Sequence, residues 1–138
     1  MGGLEISADI FKQMVAQAQA EAPVEACGIL AGRDNKVEKL YKMTNVDNSS
    51  DHFMMEPAEQ FKVVKAIRSA GLEMLAIYHS HPETPARPSA EDIRLALTPD
   101  VIYVIVSLQN SNRPAVNGFL IQDSNVTKVP VKIVKEKK

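Results

Sequence analysis

Two stretches of the chain are apolar on both faces of the strand that each would form, and they limit the fold more than any other feature. These stretches are Leu72–Tyr78 and Val101–Leu108. Because successive side chains of a strand point to opposite faces, such strands must be covered from both sides, as in a sheet packed between helices. The two stretches therefore predict central strands of a mixed α/β domain.

Three segments have the apolar spacing and the end signals of helices. The first runs from Ala8 to Ala22, with Ser7 as its N-cap and Pro23 as its stop. The other two are predicted from Pro57 to Gly71, with Phe61, Val64 and Ile67 facing inward, and from Ser89 through Ile93 and Leu97 to just before Pro99. Helices on both faces of the sheet would complete the α/β class.

The remaining apolar segments are predicted to be strands. They are Leu4–Ile6, Ala26–Ala31, Val37–Thr44, a short one at His52–Met55, Ala115–Ile121 and Val126–Val134. Asp34-Asn35 is a hairpin turn signal between the second and third of these. The last two predict a meander with one solvent-exposed face, and the lysines near the C-terminus predict a solvated basic end.

The size and composition fit one globular domain spanning residues 1–138. Of its 138 residues, 45% are hydrophobic and 24% are charged, as in an average globular domain. Lys and Arg number 16 and Asp and Glu 17, for a net charge of −1, so no basic field attracts nucleic acid or a membrane surface. No leader and no membrane-spanning stretch is evident, which predicts a cytoplasmic protein.

Two neighbouring histidines have the spacing of a metal-binding pair. His79 and His81 follow a buried strand, and side chains at i and i+2 share a face about 6.5–7 Å apart, while Ser80 faces away. Two imidazoles leave a zinc site incomplete, so a third ligand is needed. Asp92 is the candidate, since prolines between residues 82 and 88 would fold its helix back against the strand end.

Each of these residues also has an ordinary structural interpretation. Ser89 and Asp92 form the Ser-x-x-Asp pattern of a helix N-cap, and a histidine at a strand end is commonly just a polar residue. The conjunction H-S-H-P-x7-S-x-x-D, preceded by P-x-E-x-C-G-x-L-x-G with Glu25 as its acidic residue, is much harder to meet by chance. The combined pattern favours a metal site.

With both motifs unbroken over nearly the whole chain, the sequence resembles the JAMM/MPN-plus zinc metalloproteases, especially their small bacterial and archaeal members. The resemblance implies one zinc per chain, held by His79, His81 and Asp92 with a bound catalytic water. It also implies Glu25 as the acid/base residue and Ser89 as an oxyanion donor. The implied fold is an αβα sandwich with a mixed central sheet, related to cytidine deaminases, whose own activity needs more cysteines than this chain has.

The resemblance implies a zinc-dependent peptidase or isopeptidase. Its substrate would be a ubiquitin-fold or sulfur-carrier protein of the ThiS/MoaD type, cleaved after a C-terminal Gly-Gly tail. Two alternatives stay open: a non-catalytic MPN-type interaction scaffold, and a zinc hydrolase of small molecules with His52 as third ligand. We expect His52 to be structural, and Cys27, the only cysteine, to pack in the core.

Overall fold

The computed structural model describes residues 3–110 and 112–135, and within them the chain forms three helices and eight strands. The helices are α1 (Ala8–Glu21), α2 (Pro57–Ser69) and α3 (Ala90–Arg94). The strands are β1 (Leu4–Ser7), β2 (Cys27–Arg33), β3 (Lys36–Met43), β4 (Glu73–His81), β5 (Ile102–Ser107), β6 (Ala115–Gln122), β7 (Asn125–Val129) and β8 (Val131–Val134). None of the helices in these two ranges combines the length and apolar character that a membrane crossing requires.

All eight strands belong to one mixed sheet in the order β7-β6-β5-β4-β2-β3-β1-β8. The predicted central strands are confirmed: β4 pairs parallel with β5 and antiparallel with β2. Strands β6 and β7 pair antiparallel, as predicted for a meander, and β6 also pairs antiparallel with β5. Asp34 and Asn35 join β2 to β3 with positive φ angles of 52° and 61°, as the predicted hairpin turn requires.

Helices cover both faces of the sheet. On one face, Ile10 and Met14 of α1 pack in a core that includes Tyr78. On the other face, Ile67 of α2 packs in a second core that includes Ile77. Since Ile77 and Tyr78 are neighbours in β4 and point to opposite sides, both faces of this strand are buried, and the predicted αβα sandwich is confirmed.

The prediction of one final strand over Val126–Val134 is wrong. Pro130 has no N–H to donate, so the ladder breaks there, and the chain forms β7 at one end of the sheet and β8 at the other. Strand β8 pairs parallel with β1, and the N–H of Leu4 donates to the Pro130 oxygen at 2.9 Å. The sheet must therefore curl until its two ends lie side by side.

Two helix predictions need correction. Phe61 was predicted to face inward, but it is 66% exposed. The inward face of α2 is formed by Val63 and Ile67, and Phe61, two positions before Val63, lies on a different face of the helix. Helix α3 ends at Arg94, so Leu97 is not part of it and is 81% exposed. The short strand predicted at His52–Met55 is also wrong, since only Met55 pairs, in a single bridge to Asn45.

Candidate active site

The end of β4 carries His79 and His81 into a buried position on the same face of the sheet. Their Nε2 atoms are 3.2 Å apart, and the two residues are 2% and 3% exposed. Ser80, between them, instead accepts a hydrogen bond from the backbone N–H of Ala26. The predicted shared face of the two histidines is therefore confirmed, and their ring nitrogens converge on one point.

Asp92 reaches that point from the first turn of α3. Its Oδ1 lies 3.2 Å from Nε2 of His79 and its Oδ2 lies 2.9 Å from Nε2 of His81. Asp92 is also half of a capping box: its N–H donates to the Ser89 hydroxyl at 3.1 Å, and the Ser89 N–H donates to Asp92 Oδ2 at 2.9 Å. The capping interpretation and the metal-ligand interpretation are thus compatible, because one carboxylate serves both contacts.

Side chains of the sheet hold the segment between β4 and α3 in place. The Ser107 hydroxyl donates to the Thr84 oxygen at 2.6 Å, and the Asn117 amide donates to the Ala86 oxygen at 2.9 Å. His81 Nδ1 lies 2.8 Å from the Pro85 oxygen. These bonds fold the segment back so that the start of α3 faces the end of β4.

The contact with Pro85 decides which nitrogen of His81 carries the proton. A carbonyl oxygen only accepts, so Nδ1 is the donor and a neutral ring presents a lone pair at Nε2. That lone pair would face Oδ2 of Asp92 at 2.9 Å, and two acceptors at this distance repel. A proton or a metal ion must therefore lie between His81 and Asp92.

Glu25 is the fourth group at this point. It is 2% exposed and lies just before β2, and its ligand atom lies within 4.8 Å of ligand atoms of His79 and His81. Its Oε1 atom is buried without a hydrogen-bond partner. A buried carboxylate oxygen without a partner is costly, and it is available to a metal ion, a water molecule or a substrate.

The two carboxyl groups have opposite pKa shifts. Burial raises the pKa of Glu25 to about 8, an effect that nearby His81 partly offsets and Asp92 reinforces. Burial would also raise the pKa of Asp92, but hydrogen bonds from His79 and His81 outweigh it and lower the pKa below its usual range. Glu25 can therefore hold and release a proton near neutral pH, whereas Asp92 stays ionised.

The donor set fits a zinc ion. Tetrahedral zinc with bonds of about 2.0–2.1 Å separates its ligand atoms by about 3.3–3.4 Å. The separations among His79, His81 and Asp92 are 3.2, 3.2 and 2.9 Å, and two imidazoles with one carboxylate are ordinary ligands of this ion. Burial lowers the pKa of His79, which favours the neutral form that coordination needs.

His52 and Cys27 lie apart from this donor set. Nε2 of His52 lies 3.1 Å from Asp47 and its Nδ1 lies 2.8 Å from Asp51, so both ring nitrogens are engaged by carboxylates. Within residues 3–110 and 112–135, the cluster whose ligand atoms all lie within 4.8 Å of one another is Glu25, His79 and His81. Asp92 contacts both of these histidines, whereas His52 is outside the cluster. Cys27 is fully buried in the core, and burial raises the pKa of its thiol to about 12, which disfavours a thiolate role.

Two residues around the site have no signal in the sequence motifs. Phe53 stacks on the His79 ring, with centroids 4.8 Å apart and planes inclined by 25°, and so fixes the orientation of that imidazole. Asn45 is buried, and its amide donates to the backbone oxygens of Glu25 and His52 at 3.0 and 3.1 Å. The contacts of Phe53 with His79 and of Asn45 with Glu25 each join residues at least 20 positions apart along the chain, so a local pattern does not reveal them.

A cavity of about 400 Å³ adjoins the donor set. His79 and Asp92 form part of its wall, and most of the remaining lining is apolar. The apolar lining residues are Phe53, Met54, Met55, Ile77, Leu95, Leu97, Tyr103, Ile105 and Ile121. A space of this size accepts more than a Gly-Gly segment, so it can also hold an apolar side chain next to the site.

The family model for prokaryotic homologues of the JAB domain matches residues 7–118. This chain belongs to the prokaryotic JAB-domain family. The predicted resemblance to JAMM/MPN-plus proteins is thereby confirmed.

Two curated relatives of this JAB domain are a CysO-cysteine peptidase and a desampylase. The CysO-cysteine peptidase of Mycobacterium tuberculosis is 39% identical over 135 residues, which cover 96% of this chain and 92% of the relative. The desampylase of Pyrococcus furiosus is 32% identical over 97 residues, which cover 70% of this chain and 69% of the relative.

Solved structures share the architecture of this JAB domain. Protein DSY2949 from Desulfitobacterium hafniense superimposes with a TM-score of 0.88 at 41% identity, over 96% of this chain and 94% of that one. The JAB1/MPN domain protein AF2198 from Archaeoglobus fulgidus gives a TM-score of 0.63 at 20% identity, over 97% of this chain and all (100%) of that one. At that identity the second comparison shows the fold alone.

Proposed function

We propose that this JAB domain is a zinc-dependent peptidase or isopeptidase that cleaves after the C-terminal Gly-Gly tail of a ubiquitin-fold or sulfur-carrier protein. The observation that carries the proposal is the convergence of His79, His81 and Asp92 beside the buried, unpartnered carboxyl of Glu25. Three ligands leave one position of a tetrahedral zinc open, which is the arrangement of catalytic sites. The names of the two relatives support a peptidase acting on small carrier proteins.

In the proposed reaction, His79, His81 and Asp92 hold one zinc ion, which when bound supplies Lewis acidity and lowers the pKa of water. Glu25 takes a proton on Oε1 from the attacking water and passes it to the leaving amine. In the metal-free protein burial raises the pKa of Glu25 to about 8, and a zinc ion bound nearby would lower that pKa, because its positive charge favours the carboxylate that accepts the proton. Asp92 stays ionised, with Oδ1 next to His79 and Oδ2 next to His81.

Ser89 is proposed to stabilise the oxyanion. Its hydroxyl oxygen already accepts from the N–H of Asp92 at 3.1 Å, which leaves the hydroxyl proton to be donated. The capping box therefore places this donor beside the ligand Asp92. A single donor of this kind contributes on the order of 100- to 1,000-fold in rate in other hydrolases.

The apolar cavity is the proposed place for the substrate tail. Two glycines have no side chains to obstruct the approach to His79 and Asp92, and an extended tail can bind by main-chain hydrogen bonds. Met54 and Leu97 line the cavity and are 54% and 81% exposed. We propose that they contact the folded body of the carrier, so that binding remote from the scissile bond contributes to the rate.

The proposal is tested by incubating the zinc-loaded protein with a ThiS/MoaD-type carrier extended by one residue past Gly-Gly, and following cleavage by intact mass. The expected product is the carrier ending in Gly-Gly. The matched control is a synthetic peptide with the same tail sequence, which should be cleaved at least tenfold more slowly because it lacks the folded body.

The other outcomes separate the alternatives. Equal rates on unrelated unfolded peptides would indicate a general peptidase. Failure to cleave any Gly-Gly-extended carrier, by protein shown to hold zinc, would favour the MPN-type scaffold. Zinc binding that survives Asp92→Ala but not His52→Ala would instead support the small-molecule hydrolase, although both ring nitrogens of His52 contact carboxylates.

A further inference from the structure

Glu25 lies outside the strand ladder, so the sheet itself does not fix its position. Strand β2 begins at Cys27, and residues 25 and 26 have no regular secondary structure. A side chain that moves a proton must nevertheless be held closely, because a displacement of about 1 Å can cost 100-fold in rate. Hydrogen bonds from outside the ladder must therefore hold this segment.

Ser80 makes two of these bonds. Its hydroxyl accepts from the N–H of Ala26 at 2.8 Å, and its own N–H donates to the Ala26 oxygen at 2.9 Å. Ser80 is 1% exposed and lies between the two histidines of β4. Both backbone polar groups of the residue after Glu25 are thus bound to the residue between His79 and His81.

The loop before α2 holds Glu25 from the other side. The N–H of Glu25 donates to the Ser49 oxygen at 2.8 Å, and the Glu25 oxygen accepts from the Asn45 amide at 3.0 Å. All four backbone polar groups of Glu25 and Ala26 are therefore satisfied. Only the Ser80 bonds tie them to the strand that carries the histidines, and only one of those bonds uses a side chain.

We propose that Ser80 is a positioning residue, whose hydroxyl fixes the carboxyl of Glu25 relative to His79 and His81. This inference rests on the proposed function, because it takes Glu25 as the group that moves the proton. Without the hydroxyl, the Ala26 N–H would be buried without an acceptor, and the segment would shift to find one. The histidines would keep their own positions in β4, so metal binding and proton transfer would be affected separately.

The test compares Ser80→Ala, which removes the acceptor, with Ser80→Thr, which keeps a hydroxyl at the same place. Tyr78→Phe is the matched control: its hydroxyl is also buried in β4, on the same face of the sheet as Ser80, but it donates to Gln17 of α1 at 2.6 Å and not to Glu25 or Ala26. For each variant we would measure zinc content, kcat and KM on the Gly-Gly-extended carrier, and hydrogen exchange of the Ala26 amide by NMR.

Ser80→Ala should keep stoichiometric zinc and a KM within about twofold of wild type, while kcat falls about 10- to 100-fold. The Ala26 amide should exchange at least tenfold faster relative to the neighbouring amides of β4. Ser80→Thr should bring kcat and the exchange rate of the Ala26 amide back to within about threefold of wild type. Tyr78→Phe should leave these two quantities within about twofold of wild type. In a Glu25→Gln background, Ser80→Ala should cause no further loss of kcat, because the group that it positions is already gone.

The inference is overturned if Ser80→Ala retains the wild-type kcat, or if Tyr78→Phe lowers kcat as much. It is also overturned if Ser80→Ala lowers the residual rate of Glu25→Gln by the same factor as in wild type. Failure of the proposed function has a different signature, since wild-type protein loaded with zinc would then not cleave the carrier. In that case the positioning role is tested by hydrogen exchange of the Ala26 amide alone. An unchanged exchange rate in Ser80→Ala rejects the role, and an increase confined to this amide supports it.

Discussion

The backbone N–H of Ser89 donates to the same oxygen of Asp92 that faces His81, at 2.9 Å in each case. The cap of a five-residue helix therefore also orients a candidate metal ligand. This arrangement makes the start of α3 part of the site. It also means that substitutions at either residue act on both stability and chemistry, and the two effects must be measured separately.

Replacing His81 by Ala should reduce bound zinc to below about a tenth of one equivalent per chain. The reason is that two ligands hold zinc far more weakly than three. The measurement is metal analysis of purified, dialysed protein. The matched control is His52→Ala, which should keep the zinc because both ring nitrogens of His52 contact carboxylates; stoichiometric zinc in His81→Ala would show that the site is misplaced.

Glu25→Gln should keep the fold and the zinc but lose at least 100-fold in kcat. Glutamine has nearly the same shape but cannot take a proton, and general-base catalysis contributes about 10²- to 10⁴-fold. Circular dichroism, metal analysis and kcat are measured on the same sample. Loss of zinc in this variant would make Glu25 a ligand, and activity above about a tenth of wild type would remove it from the mechanism.

Ser89→Ala should lower kcat by at least about tenfold and stability by about 1 kcal/mol, because it removes both an oxyanion donor and an N-cap. The matched control is Ser7→Ala, which removes an equivalent cap, since Ser7 accepts from the N–H of Ile10 at 3.1 Å. The control should lose similar stability in urea unfolding but no activity. Equal kcat in the two variants would assign Ser89 to capping alone.

The free energy of unfolding of the metal-free protein should fall as pH rises from about 5 to 8. The pKa of Glu25 is about 8 in the folded protein and near 4.5 when unfolded, so between these values the folded state holds a proton that the unfolded state releases. The Glu25 contribution is therefore present at low pH and lost as pH approaches 8. Compared with Glu25→Gln, the wild-type decrease should be larger by about 1 to 2 kcal/mol, allowing for screening by solvent.

The measurement is urea unfolding of chelator-treated wild type and Glu25→Gln at several pH values. Comparing the two proteins cancels the titration of the remaining groups, to the extent that these do not interact with Glu25. Parallel curves would contradict the assignment of a raised pKa to Glu25. A steeper decrease in Glu25→Gln than in wild type would mean that folding lowers the pKa of Glu25 instead of raising it.

The histidine pair could be predicted from the sequence because a strand has a fixed period of two residues. His79 and His81 had to share a face once β4 was identified by its apolar run. Asp92 followed from the helix start at Ser89, which the cap pattern marked. Local periodicity and capping rules place these three residues on their elements, because each rule acts within a few residues, whereas their prediction as one ligand set rested on the combined motif and on the family resemblance.

Contacts between distant segments could not be predicted in the same way. Ser80 and Ala26 are 54 positions apart, and the two-residue period of a strand places Ser80 only on the face opposite the histidines. Pro130 was visible in the sequence, but the separation of β7 and β8 to opposite ends of the sheet depends on the curl of the whole sheet. Such features depend on tertiary packing, which overrides local propensity.

The roles of zinc and Glu25 are tested together by the rate at which metal-stripped protein cleaves the Gly-Gly-extended carrier before and after addition of one equivalent of zinc. We predict no cleavage by the stripped protein, recovery of at least half of the original rate with zinc in wild type, and no recovery in Glu25→Gln. Cleavage by the stripped protein at the original rate, or recovery in Glu25→Gln equal to wild type, would contradict a zinc peptidase that uses Glu25.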